Sequence, residues 1–282
     1  MSLEAFKFYV ERADPARPRV HLVAEEDGRV VGHGFLRGTP AFEPLYLNLD
    51  VEPSLQRAGI GTQLLERLVA GAKGYERGMY TLVAEESASG LGFMARHAFA
   101  EQFRMFESKV ELASFDPDRF GRLRLGLTDA GVRFSNLAAE DSLDLRRRVH
   151  ALIDAVVADV PGPMTARSLT YEEWERDWID APMARLELIA LAFVGDEPVA
   201  LSGVTVEADG TGYHSFTGVA RAHRGRKLGL AVKVEGLRLA KEFGLPSVRT
   251  DNHTDNVPML AINSTLGFQP VPGFISFRRS LG

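Results

Sequence analysis

The feature that most constrains the fold is a strand, turn and helix signal that occurs twice. Val51 precedes Gln56–Gly61, and Val219 precedes Arg224–Gly229, with 168 positions between the two valines. A repeat of this length indicates a duplicated domain, because the units of a solenoid are far shorter. The sequence therefore predicts two modules that share one local design.

The composition is that of a globular protein without thiol chemistry. The chain has 282 residues, of which 45% are apolar and 25% charged, enough for two domains with separate cores. The absence of cysteine excludes disulfides, thiolate metal sites and a cysteine nucleophile. We predict no metal site.

Charge and hydropathy narrow the set of partners. The formal net charge is −5, and there is no basic stripe with interleaved aromatic residues, so we expect no nucleic-acid partner. There is no apolar run of transmembrane length and no signal-peptide pattern at the amino terminus. We therefore expect a cytoplasmic protein without a membrane partner.

The repeat also predicts the domain boundaries. We expect an N-terminal module over residues 1–112, a linker over 113–130 and a C-terminal module over 131–282. The second module opens with a strand near residues 132–135 and a helix over 141–157, which have no counterpart in the first. Either the first module is shortened or the sequence begins downstream of the natural start.

The helices that follow the two turns differ in their exposed residues. After the first turn, Ile60, Leu64 and Leu68 recur at helical spacing and predict one buried face. After the second turn, we expect Lys233 and Lys241 to lie on a solvated face, together with Arg238.

The turn carries a resemblance to a known family. A strand ending in valine, then [Gln/Arg]-x-x-Gly-x-[Gly/Ala] opening a helix, resembles the signature of the GNAT N-acetyltransferases. Residues 56–61 match it in full, whereas Lys227 stands at the first glycine position of the second copy. A shifted register over 226–231 fits the pattern but breaks the spacing from Val219, so we prefer the Val219 register.

The resemblance implies a fold and an architecture. It extends over nearly the whole chain and implies an α/β fold with a mixed sheet, built as two tandem GNAT acyl-CoA N-acyltransferase modules. The first of these lacks its opening strand and helix. The arrangement resembles the mycothiol synthase type and predicts a pseudo-dimer within one chain, while the oligomeric state stays open.

The resemblance also implies acetyl-CoA (coenzyme A) as the cofactor. Main-chain amides at the positive end of a helix dipole can solvate a diphosphate. The structural alternative is that the glycines only make a tight turn between strand and helix. The cofactor-binding residues that we predict are Val51, Gln56, Arg57, Ala58, Gly59, Ile60, Gly61 and Thr62 in the first module, and Val219, Arg224, Gly225, Arg226, Lys227, Leu228, Gly229, Leu230, Asn252 and Asn256 in the second.

The acid and base of the reaction are harder to assign. Many GNAT proteins place a glutamate where this chain has Tyr213, and a tyrosine that protonates sulfur where it has Asn263. Our catalytic candidates are Tyr213, His214 and Asn263, the last as a positioning residue. Asn256 has an alternative role as a helix cap, and His214 as a packing residue.

These signals predict an acetyl-CoA-dependent N-acetyltransferase that acts on a primary amine of a small molecule. We expect the chemistry in the C-terminal module, by direct attack of the amine on the thioester. Asp251, Asp255 and Glu187 would suit a cationic acceptor. The first module would bind cofactor weakly or mainly support the fold. The alternative is a non-catalytic acyl-CoA-binding or regulatory protein, and a P-loop triphosphatase is excluded because its motif is absent.

Overall fold

The computed structural model describes residues 7–8, 10, 18–38, 43–160 and 168–281. The chain forms two compact units. The N-terminal unit consists of residues 12–104, 163–167 and 274–282, and the C-terminal unit of 1–11, 105–162 and 168–273. Each unit thus takes its last strand segment from the other half of the sequence, which the repeat alone does not reveal.

The N-terminal unit is a sheet with two helices. The sheet order is β1-β2-β3-β4, followed by the C-terminal half of β11. Its elements are β1 (Arg19–Glu26), β2 (Arg29–Arg37), β3 (Leu45–Val51), α1 (Ile60–Gly71), β4 (Met79–Ala84), α2 (Ala88–Arg96) and the first residues of β5 (Ala100–Glu111). Strand β11 (Gln269–Arg279) pairs antiparallel with β4 through Phe274–Arg279.

The C-terminal unit is a larger sheet covered by helices. Its order is β5-β10-β9-β8-β7-β6, with β5 contributing from Met105 onward. Its other elements are α3 (Gly121–Asp129), β6 (Val132–Asn136), α4 (Leu143–Val157), α5 (Tyr171–Trp174), β7 (Ile189–Val194), β8 (Glu197–Val206), β9 (Gly212–Val219), α6 (Leu228–Phe243), β10 (Ser247–His253) and α7 (Val257–Thr265).

Local sequence explains the helix and the turn that frame the N-terminal site. Leu64, Leu65 and Leu68 recur on one face of α1 and are all buried, as the helical spacing predicts. Asp27 and Gly28 join β1 to β2 and both have positive φ, the conformation of a tight two-residue hairpin. The hairpin sets the register in which β2 presents its buried face to α1.

The N-terminal unit differs from the C-terminal unit at the edge of its sheet. Among the described residues, β1 is the edge strand of the N-terminal unit, whereas β6 and α4 precede the equivalent hairpin in the C-terminal unit. The expectation that the first module lacks its opening strand and helix stays a prediction, because most residues before β1 lie outside the described part of the chain.

The segment predicted as a linker is helical. Within residues 113–130, a 3-10 turn over Pro117–Phe120 leads directly into α3, and Leu127 of α3 is buried with Val132 of β6. The segment is therefore an ordered part of the C-terminal unit. In the described part of the chain, no helix is both long enough and apolar enough to cross a lipid bilayer.

Candidate functional site

In the C-terminal unit, two parallel strands separate and leave a gap. Strands β9 and β10 pair at Gly212 with Val248 and at Tyr213 with Arg249. Beyond that point β9 continues to Val219 and β10 to His253. Along the gap, the facing edges of β9 and β10 have main-chain groups without a partner strand. An extended ligand can lie in the gap and form hydrogen bonds with these groups.

The N-terminal unit repeats this gap. Strands β3 and β4 pair at Leu45 with Met79 and at Tyr46 with Tyr80, and then β3 continues to Val51. A cavity of about 430 Å³ lies here, lined by both strands, the turn after Val51 and helix α2. This volume is in the range of small-molecule sites.

Each gap opens next to a turn of the same unusual conformation. Arg57 and Gly59 have φ of 72° and 88°, while Gly225 and Lys227 have φ of 76° and 62°. The left-handed residues therefore occur at the same two positions of the repeat. This agreement supports the register set by Val219, in which Lys227 takes the place of Gly59.

A side chain closes each turn in the same way. Gln56 Nε2 donates to the carbonyl oxygen of Val51 at 3.2 Å, and Arg224 Nε donates to that of Val219 at 3.0 Å. The glutamine or arginine at the first position of the motif thus ties the turn to the end of its strand.

Both turns present the free amides of a helix start. The first hydrogen bonds of these helices run from Gln63 to Gly59 and from Ala231 to Lys227. In the described structure neither helix has a side-chain cap. The amides of residues 60–62 and 228–230 therefore point out of the helix ends, where the helix dipole favours an anion. The turns and gaps together fit a ligand that joins a diphosphate to an extended arm.

Comparison with known proteins agrees with this geometry. Residues 17–102 match the profile of an Acetyltransferase (GNAT) domain. A mycothiol acetyltransferase of Parafrankia sp. (strain EAN1pec) is 27% identical over 277 residues, covering 92% of this chain and 83% of that protein. One from Geodermatophilus obscurus is 25% identical, covering 98% and 87%.

Solved structures show that the likeness extends to the fold of both modules. A tandem GNAT protein from the clavulanic acid biosynthesis pathway superposes with a TM-score of 0.75 at 20% identity, covering all of this chain and 89% of that one. A GCN5-related N-acetyltransferase from Sphaerobacter thermophilus gives 0.68 at 18% identity, covering 99% and 85%. Residues 17–102 are thus a GNAT acetyltransferase domain, and the whole chain has a tandem GNAT fold. The domain match and the curated relatives support its class as an acyltransferase.

In this tandem GNAT protein, the C-terminal gap carries an acidic group on one face of the sheet. The hydroxyl of Tyr213 donates to Oδ1 of Asp251. Glu107 of β5 lies directly opposite Asp251 in the antiparallel ladder, and it accepts from Nη1 of Arg249 at 3.3 Å. Burial raises the pKa of both carboxyl groups, and burial followed by the charge of Asp251 raises the pKa of Tyr213.

His214 lies on the opposite face and is enclosed. Its Nε2 contacts Ser202 Oγ at 2.7 Å and Thr217 Oγ1 at 3.2 Å, and the residue is 4% exposed. Burial, and after it the charge of Lys233, holds its pKa well below the usual value. This is the environment of a neutral packing histidine, the alternative that the sequence left open.

Asn263 and Asn252 meet across the helix-covered face of the gap. Asn263 Nδ2 donates to Asn252 Oδ1 at 2.7 Å, and Lys233 Nζ donates to Asn263 Oδ1 at 2.6 Å. Asn256 stands at the start of α7, but its side chain makes no capping bond within the described structure. Its side chain is therefore not committed to the alternative role as a cap.

The prediction that Lys233 lies on a solvated face is wrong. Lys233 is fully buried, whereas Lys241 of the same helix is exposed as expected and donates to the carbonyl oxygen of Phe115. Arg238 is half-buried and pairs with Glu235 and Glu242. Helix α6 is buried over most of its circumference. The periodicity of an amphipathic helix with one solvent-exposed face therefore does not predict which of its residues are exposed.

Sequence reasoning also missed Glu107. It lies on β5, far from the GNAT motif, and only the pairing of β5 with β10 brings it next to Asp251. Strand β5 also carries Arg104, Ser108 and Lys109, so no sequence signal sets Glu107 apart.

Proposed function

We propose that this GNAT protein transfers the acetyl group of acetyl-CoA to a primary amine of a small molecule, in its C-terminal module. The observation that carries the proposal is the pair of matching turns, each with two left-handed residues at a helix start beside a gap between strands. A turn needed only to reverse the chain has no reason to keep this conformation twice next to a gap.

The residues present fit the coenzyme. In each module the helix-start amides would hold the diphosphate, and the unpaired edges of the separated strands would bind the amide-bearing arm. Arg226 and Lys227 add positive charge at the C-terminal turn. Acetyl-CoA, when bound, supplies an acetyl group activated as a thioester.

The C-terminal module is the catalytic candidate because its gap has a carboxyl group where the N-terminal gap has none. By strand pairing, Tyr46 and Leu82 of the N-terminal gap stand where the C-terminal gap has Tyr213 and Asp251, and Leu82 cannot accept a proton. The N-terminal cavity therefore fits the binding of coenzyme without turnover. For that module alone, this favours the second candidate function, a non-catalytic acyl-CoA site.

The acidic group supplies the base that amine transfer requires. An alkylammonium with a pKa near ~10 has no lone pair with which to attack, so its proton must be removed. Asp251 and Glu107 would attract the ammonium, and the raised pKa of Asp251 suits it to accept that proton. Tyr213, whose pKa is raised, stays protonated and orients Asp251 by its hydrogen bond.

The acceptor that we propose is a small cationic molecule with a primary amine. Two arguments support it: the carboxyl groups of half-buried Asp251 and buried Glu107 beside the gap, and relatives that are named mycothiol acetyltransferases. The expectation of a cationic acceptor thus rests on Asp251 together with Glu107. Asp255 and Glu187 are not needed for it.

Thiol release from acetyl-CoA in the presence of a panel of primary amines tests the proposal. Gly229→Glu places a carboxylate among the amides of the C-terminal turn and should abolish turnover. Gly229→Ala is the matched control, because its Cβ would lie 3.5 Å from Ile262 and Val219, an ordinary contact. Gly61→Glu makes the equivalent change in the N-terminal turn and should leave turnover in place. Unchanged turnover in Gly229→Glu would refute the assignment.

A further inference from the structure

Lys233 is a buried cation that the proposed acid and base chemistry has not used. It lies on α6, the helix whose start forms the C-terminal turn, and its side chain has no solvent exposure. A lysine is almost never fully buried unless its charge is paired. The salt bridges of the described residues do not include Lys233.

The contacts of Lys233 leave its positive charge uncompensated. Its Nζ donates to Asn263 Oδ1 at 2.6 Å, lies 3.8 Å from the sulfur of Met259 and lies 5.1 Å from the centre of the Phe268 ring. All three neighbours are neutral. An ammonium in such surroundings loses hydration that a single amide and a ring replace only in part.

Lys233 fixes the orientation of Asn263. An ammonium can only donate, so the oxygen of the Asn263 amide must face Lys233 and its NH₂ must face away. That NH₂ donates to Asn252 Oδ1 at 2.7 Å. The chain of three side chains therefore runs from the interior of α6 to the wall of the gap on β10.

The two faces of the gap carry opposite charge. Successive residues of a strand face opposite sides of the sheet. Val248 packs in the core under α6 and Asn252 bonds to α7, so this set faces the helices and Lys233. Arg249 and Asp251 belong to the other set, with Glu107 beside them. The anionic groups thus lie on one face and the buried cation on the other.

We propose that Lys233 is the positioning residue for the leaving group in the C-terminal module: it fixes Asn263 against Asn252 and directs a buried positive charge toward the thiolate that acetyl transfer releases. This inference rests on the proposed function. It assigns a role to a residue that has no place in the GNAT sequence motif.

The chemistry requires charge of this kind on this face. The nitrogen lone pair forms the new bond to the acetyl carbon, the bond from that carbon to sulfur breaks, and its electron pair stays on sulfur. Before attack, one proton of the ammonium goes to the carboxylate on the acidic face, and the excess proton that the acylated nitrogen still carries passes to solvent as the amide forms. A negative charge therefore develops at sulfur, where a fixed cation in a site of low dielectric stabilises it most.

The titration of Lys233 agrees with this role. Burial lowers its pKa to about 7. The titratable group that faces it from β9 is His214, which is neutral and buried, and the groups from α7 and the turn after it are the uncharged Asn263, Met259 and Phe268. A thiolate nearby would raise the lysine pKa again, so that Lys233 is charged when sulfur is.

If Lys233 only stabilised the fold, replacing it would lower the melting temperature. The proposed role predicts the opposite. Replacing a buried, unpaired charge by an apolar residue of similar size is commonly neutral or stabilising. Lys233→Met should therefore fold and melt at the same or a higher temperature while losing function. A large drop in melting temperature would indicate that the lysine serves the fold.

The test measures the thiol pKa of bound CoA by thiolate absorbance in the full-length protein, with Gly61→Glu present so that only the C-terminal site binds. We expect Lys233→Met to raise the pKa of the bound thiol by about one unit or more and to lower kcat by about 10²-fold, with the KM for acetyl-CoA within about threefold. Lys241→Met is the matched control on the same helix and should change none of these quantities. A thiol pKa and kcat equal to those of the parent would overturn the proposal.

Lys233→Gln separates charge from orientation. Its amide can still donate to Asn263 Oδ1, so the orientation of Asn263 is kept and the charge is lost. We expect it to lose the thiol pKa shift as Lys233→Met does, and to bind CoA no more tightly than desulfo-CoA. If it keeps the full shift, the charge is not the cause.

The proposed function fails in a different way. If the parent protein binds no CoA that Gly229→Glu removes, the site itself is misassigned. If that binding is present and the lysine variants leave the thiol pKa and kcat unchanged, only the inference about Lys233 is wrong.

Discussion

Tyr213 donates its hydroxyl proton to Asp251, and this bond joins β9 to β10 at the level where the two strands separate. The GNAT resemblance places a glutamate at the position of Tyr213. In this chain the carboxylates come instead from β10 and β5, as Asp251 and Glu107. The carboxylates of this site thus come from β10 and β5 and not from β9.

The first prediction concerns the base. Asp251→Asn keeps an oxygen that can accept from Tyr213 but removes the proton acceptor. We expect kcat/KM for the amine to fall by about 10² to 10⁴-fold, as for loss of a general base. Steady-state kinetics across pH measures this, and Glu111→Gln, an exposed position on β5, is the control. Retention of the parent rate would exclude Asp251 as the base.

The second prediction concerns stability and the same residue. The pKa of Asp251 is higher in the folded protein than its usual 3.8, mainly because of burial. Between the unfolded and folded pKa values the folded state holds more protons, so this group lowers stability as pH rises through that window. Asp251→Asn should therefore melt at a higher temperature than the parent at pH 7, and the difference should vanish below about pH 4. A constant difference at all pH values would contradict it.

The third prediction uses the left-handed position shared by the two turns. Gly59 has φ of 88° and Lys227 has φ of 62°. A side chain in this conformation costs about 1–2 kcal/mol, so Gly59→Ala should destabilise and Lys227→Gly should stabilise the protein by about that amount. Urea unfolding measures both changes in the free energy of unfolding.

Lys227→Gly should also bind acetyl-CoA more weakly, because a cation beside the diphosphate is lost. The matched control is Lys227→Ala, which loses the charge but keeps the strained backbone, so affinity should fall without a gain in stability. The loss of affinity should shrink at high ionic strength. Equal affinity of all three proteins at low salt would mean that Lys227 does not face the phosphates.

The fourth prediction is a pH dependence of stability from Lys233. Its folded pKa is about 7 and its usual value is 10.5. Between these values the unfolded state binds more protons, so stability rises with pH across that window, and below about pH 7 the full cost of burying the charge is present. Subtracting the stability curve of Lys233→Met from that of the parent isolates the rise. A flat difference between pH 7 and 10 would show that the lysine is not titrating there.

Local sequence predicts much of this fold. The strand that ends at Val51 and the helices that follow the two turns appear as expected, because turn chemistry and apolar periodicity act over a few neighbouring residues. The spacing of 168 positions also led to the register in which Lys227 matches Gly59. The backbone conformation of both turns agrees with it.

The sequence by itself showed the duplication and determined the two turns, since turns follow from short-range backbone preferences, and its resemblance to the GNAT family implied the fold of each module. Only the tertiary structure decided which charges meet at the C-terminal gap. Glu107 reaches Asp251 through strand pairing, and Lys233 is buried because both β9 and α7 cover its side of α6. Burial and cross-strand neighbours depend on residues far apart in the chain, and those properties set the charge and pKa of the groups that the reaction needs.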